Sequence, residues 1–151
     1  MNARMDISKV APAAYKAMLG LHNAVEKSGL EHSLLELIKT RASQINGCAF
    51  CLAMHTADAR KAGESEVRLY LLDAWRESPV YSERERAALA WTEALTLITQ
   101  GHVPDEVYEE ARRQFSDAEL ANLTMAIVTI NGWNRIAISS RSVPEVATTK
   151  S

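Results

Sequence analysis

Cysteine is nearly missing from this sequence: two in 151 residues, only three positions apart. A framework disulfide would close a longer loop, so the pair gains little as a structural staple. Runs of lysine and arginine are missing too, and the net charge is −2. That excludes a general nucleic-acid binder, which needs a basic face to displace counterions from phosphates. The polar start, Met1 to Lys9, lacks the apolar stretch of a secretion signal. The longest nearly uncharged segment, Leu120 to Asn134, is interrupted by Asn122, Thr124, Thr129 and Asn131 and is too short for a membrane span. It reads as a buried helix. The expected compartment is the cytoplasm, where thiols are kept reduced and a close cysteine pair points to redox cycling or metal binding.

What is present is helical punctuation, with no convincing strand, repeat or low-complexity segment. Pro12 suits the first turn of a helix ending near Ser28-Gly29. A second helix is expected from Glu31 to Ile45, with Leu34, Leu35, Ile38, Ala42 and Ile45 on one side, before Asn46-Gly47 breaks it. A third runs from Cys48 to Ala62 with Gly63 as its cap, and a fourth from Ser65 to Trp75. Ser82-Glu83-Arg84-Glu85 and Ser116-Asp117-Ala118-Glu119 are capping boxes opening helices to about Thr99 and Ile138; between them lies Asp105 to Gln114. The expectation is one all-α domain over residues 1–151, a bundle of about six to seven helices with its core near 12–139 and a loose C-terminal tail. The segments Ala87–Ile98 and Leu120–Asn134 are apolar nearly all round, so each is buried on more than one face. A homo-oligomer is therefore expected, against the simpler reading of central core helices in a monomer.

At about 100° per residue, Cys48, Cys51 and His55 fall within roughly 60° of one another on one helix. The imidazole stands one turn beyond Cys51, placing a base beside a nucleophile. Cys48 sits where unpaired N–H groups at a helix start favour a thiolate. A thiolate attacks a peroxide or a disulfide, and a second cysteine closes a disulfide behind it. Three blander readings compete: inert small apolar residues, half of a zinc site, or a histidine with no role. His22, His32 and His102 form no second ligand pair for zinc. Thioredoxin chemistry is similar, but there the cysteines follow a β-strand, whereas Leu34 to Ile45 repeats with helical period.

The pattern Glu36-x11-Cys48-x2-Cys51-x3-His55, with ERAALAWTEALT and INGWNR further on, resembles the AhpD-like alkylhydroperoxidase core of the carboxymuconolactone decarboxylase superfamily, over Leu34 to Arg135. The resemblance implies an all-α fold that associates into trimers or hexamers. It implies a peroxiredoxin-type alkyl hydroperoxidase with Cys48 and Cys51 as redox pair, His55 as proton shuttle and Glu36 as distal proton acceptor. It further implies a hydroperoxide substrate and a dithiol electron donor such as a lipoylated protein; no cofactor and no metal are expected from the residues themselves. The family pattern has a histidine before the second cysteine; here that residue is Phe50.

Read from its own helix alone, Glu36 lies about 160° from the apolar stripe, the side usually given to solvent. A Glu36 that faces the cysteines would need its helix covered on both sides, a further argument for assembly. Glu93, between Leu89 and Leu97, is expected to be buried and paired with Arg41 in a structural role. Two other functions stand beside the peroxidase: a general disulfide oxidoreductase or redox-regulated binding protein, and decarboxylation of a lactone acid, which has no use for a dithiol. Which sulfur attacks first stays open at this point.

Overall fold

The computed structural model describes residues 2–146, and within them every regular element is a helix. The order is α1 (Ile7–Val10), α2 (Pro12–Glu26), α3 (His32–Asn46), α4 (Ala49–Lys61), α5 (Glu66–Tyr70), a 3₁₀ helix (Leu72–Glu77), α6 (Glu83–Thr96), α7 (Asp105–Gln114) and α8 (Asp117–Ser140). That is nine helices rather than six to seven. The expected fourth helix breaks at Leu71 into α5 and the 3₁₀ turn, and the polar start, where no helix was expected, winds into α1 because Asp6 caps the Ser8 amide. Both capping boxes form. Ser82 caps α6 and Ser116 caps α8, each answered by the Glu three residues on. Helix α8 runs to Ser140, and much of the expected loose tail, residues 147–151, lies outside the described residues.

Helix α3 is the axis of the bundle, packed against α4, α6 and α8. Leu34, Leu35 and Ile38 meet Ala88 and Trp91 of α6 and Leu123 and Ile127 of α8. On another side Leu37 meets Leu72, Trp75 and Leu89. Each such leucine withdrawn from water contributes about 1.5–3 kcal/mol. The same wrapping overturns the solvent-facing reading of Glu36, which is 4% exposed. One chain supplies the cover on both sides, so the burial of Glu36 is no argument for a second subunit.

Glu93 is held as a structural anchor. Arg41 and the Trp75 indole donate to one oxygen at 3.0 and 2.8 Å, and Arg76 reaches the other at 2.5 Å. Burial raises the Glu93 pKa, but the Trp75 and Arg76 hydrogen bonds and the nearby cations outweigh it, leaving the carboxyl below its ordinary value. Among the described residues no helix is long and apolar enough to cross a membrane.

Candidate functional site

The site is built where α3 ends and α4 begins. Gly47 takes the left-handed conformation (φ 70°, ψ 35°), which lets its amide bond Gln44 and the Cys48 amide bond the Ser43 carbonyl. That pair of bonds is a Schellman closure. Cys48 therefore ends one helix and caps the next, rather than lying inside the first turn of α4. Its sulfur accepts the Cys51 amide at 3.3 Å, the kind of contact that stabilises negative charge on sulfur. Behind this turn Asn46 donates to Asn131 and Asn134 at 2.9 and 2.8 Å, and Asn134 donates to Ser43 at 3.0 Å. The bonds tie the corner to α8.

Cys48 and Cys51 are joined as a disulfide, with Cα atoms 5.3 Å apart, and each is 1% exposed. One turn on, the His55 ring places Nδ1 3.0 Å from Glu36 Oε2. Lys39 stands 3.4 Å from the other Glu36 oxygen and also pairs with Glu26 at the end of α2. A line of alternating groups thus runs Glu26, Lys39, Glu36, His55. Burial pushes the Glu36 pKa up, but the His55 hydrogen bond and Lys39 together hold it below the ordinary carboxylate value. An ionised Glu36 only accepts hydrogen bonds, so His55 Nδ1 carries a proton, which in a neutral ring leaves Nε2 as the acceptor nitrogen.

Cys51 and His55 open onto a cavity of about 580 Å³. Its walls are largely apolar: Tyr15 and Leu19 from α2, Phe50 and Met54 from α4, Trp133 and Ile136 from α8. The Tyr15 ring meets Trp133 edge-on at 5.4 Å, and His22 meets the same indole at 6.3 Å. The segment from Ala3 to Ser8 closes one side, pinned by the Arg4 amide to the Ser140 carbonyl at 2.9 Å. Cys48 is not among the lining residues.

All four sequence-derived residues, Glu36, Cys48, Cys51 and His55, are therefore brought into one locality. His22, Tyr15 and Trp133 escaped the sequence reading. A signal existed, since Tyr15, Leu19 and His22 share one face of α2 at helical spacing. As for a metal, Glu36, His55 and the exposed Asp58 bring ligand atoms within 4.8 Å of one another. The Lys39 ammonium on the same carboxylate opposes a cation there, and the His55–Glu36 hydrogen bond occupies the pair.

The sequence and the fold recur in known proteins. The profile of the carboxymuconolactone decarboxylase family matches residues 12–94. The uncharacterised protein YdfG of Bacillus subtilis is 44% identical over 92% of this chain and 95% of its own. A solved protein of unknown function from Agrobacterium tumefaciens, described provisionally as the antioxidant defence protein AhpD, is 49% identical. It superposes with a TM-score of 0.94, over 97% of this chain and 100% of its own. The debrominase Bmp8 shares the fold at 22% identity, with a TM-score of 0.77 over 89% of this chain and 73% of its own.

Proposed function

The chain belongs to the carboxymuconolactone decarboxylase family, in its AhpD-like branch, and from that premise we propose that it is a thiol-dependent peroxidase. The observation that carries the reading is the shared cavity: one sulfur, Cys51, and the His55 imidazole face the same apolar space, with a buried carboxylate behind the imidazole.

In the reduced protein, His55 Nε2 takes the Cys51 thiol proton while Glu36 steadies the resulting imidazolium. The Cys51 thiolate attacks one oxygen of a hydroperoxide, the O–O bond breaks, and the leaving oxygen departs as an alcohol with the proton returned from His55. Cys51 is left as a sulfenic acid. The Cys48 thiol then attacks that sulfur, water leaves, and the disulfide forms. A dithiol donor, of which a lipoylated protein is one, reduces the pair and restores the cycle. Cavity access supports Cys51 as the attacking sulfur and Cys48 as the resolving one.

A general disulfide oxidoreductase is the alternative. The enclosed setting of Cys51, 1% exposed behind an apolar cavity of about 580 Å³, suits a small peroxide better than a protein disulfide. A cytoplasmic homo-oligomer, a trimer or a hexamer, is part of the same reading. Met125 and Val128 on α8 remain exposed in the single chain and suit such a contact.

The test is hydroperoxide-dependent consumption of a dithiol reductant. Cys48→Ser and Cys51→Ser should each abolish turnover; wild-type rates in both variants would overturn the proposal. Faster exchange with protein disulfides than with any hydroperoxide would favour the alternative.

A further inference from the structure

Two imidazoles, not one, face the cavity that holds Cys51. His55 is bound at Nδ1 by Glu36, and in the proposed cycle its other nitrogen takes the thiol proton. His22 lines the same cavity from α2, half-buried and edge-on to Trp133. Among the described residues its ring has no hydrogen-bond partner. The other polar side chains of the wall are mostly committed. The hydroxyl of Ser140 donates to Ile136, the hydroxyl of Ser8 donates to Asp6, and Asp6 caps α1. Tyr15 lines the same cavity seven positions earlier on α2, about 10 Å along the helix axis. His22 is an uncommitted imidazole on the α2 wall of the cavity that His55 also lines.

Resting on the peroxidase reading, we propose that His22 is a second catalytic imidazole, donating an N–H to the leaving oxygen of the bound hydroperoxide. When the Cys51 thiolate attacks the near oxygen, negative charge develops on the far one. A fixed donor there lowers the barrier more than it stabilises the intact peroxide. The His22 ring stays neutral throughout, and the proton that completes the alcohol is the thiol proton carried by His55. Atoms and electrons balance: the thiol is oxidised to the sulfenic acid and the peroxide is reduced to the alcohol. The surroundings suit a neutral donor. Burial lowers the His22 pKa, and Lys39 and His55 lower it further against the opposing pull of Glu26 and Glu36. An uncharged imidazole always keeps one N–H.

The experiment uses the reduced full chain and measures the second-order rate of Cys51 oxidation by stopped-flow. The peroxide series runs from tert-butyl hydroperoxide, a poor leaving group, to peracetic acid, a good one. His22→Phe keeps the ring packing on Trp133 and removes the donor; His22→Gln restores an N–H. The expected result for His22→Phe is a loss of roughly 10- to 100-fold with tert-butyl hydroperoxide, little loss with the peracid, and partial rescue in His22→Gln. Reaction of the same thiols with an aromatic disulfide reagent, which needs no such donor, should keep its wild-type rate. An equal loss across the whole series, or none, overturns the role of His22 while leaving the peroxidase reading intact. A wild-type dithiol inert to every peroxide overturns both.

Discussion

Replacing Glu36 with glutamine keeps the shape of the side chain and removes its charge, which makes the buried line of groups measurable. Lys39 Nζ and the Glu36 oxygen are 3.4 Å apart, and both side chains are about as buried as the leucines around them. At an effective dielectric of about 20 their attraction is about 5 kcal/mol. Desolvation of the two ions offsets part of that, and Lys39 keeps Glu26 in the variant. A net loss of about 2–3 kcal/mol remains, which for a chain of this size lowers Tm by roughly 4–12 °C. The pH dependence gives the sharper check. The folded-state pKa of Glu36 is held below its ordinary value of 4.5. Its stabilisation is therefore present in full above that value and is lost as pH falls through the folded pKa. Thermal unfolding of the oxidised protein, followed by circular dichroism from neutral pH into acid, should show a constant gap between wild type and Glu36→Gln that closes at the acid end. Equal melting temperatures at neutral pH, or a gap unchanged in acid, would refute the reasoning.

Gly47→Ala meets no neighbour within 4 Å, yet it must hold φ +70°. The expected cost is about 1–2 kcal/mol in chemical denaturation, from the left-handed backbone alone. Asn134→Ala strips partners from Asn46 and Ser43 in a fully buried position. It should cost about 1–3 kcal/mol, visible as a lower denaturation midpoint, and an unchanged midpoint would show that the α3–α8 tie is dispensable. After one equivalent of hydroperoxide, Cys48→Ser should yield a sulfenic acid that a dimedone probe traps on Cys51, whereas Cys51→Ser should yield none on Cys48. The reverse pattern would exchange the roles of the two sulfurs.

Local chemistry made much of this molecule readable from its sequence. Ser82 with Glu85 and Ser116 with Glu119 announce helix starts that form where expected, because a cap involves only neighbouring residues. The common face of Cys48, Cys51 and His55 is likewise a property of about two turns of chain. Glu36 was misplaced by the same logic: the apolar stripe on α3 reports one buried side, while contacts with α4, α6 and α8 close the others. His22 could not be found by spacing from the cysteines, since α2 reaches the cavity through packing on Trp133. The break at Leu71 went unseen because 3₁₀ and α turns draw on the same residues.

The strap from Ala3 to Ser8 has a consequence for how the molecule is made and handled. Arg4 finds its anchors at Ser139 and Ser140, some 135 positions away along the chain. A nascent polypeptide can assemble its cysteine corner well before it can complete the chamber in front of it, because the chamber waits for the far end of α8. A change that loosens the Ala3–Ser8 strap alters one wall of the chamber, so variants of that strap are best compared with the intact protein before either is trusted to report an access rate.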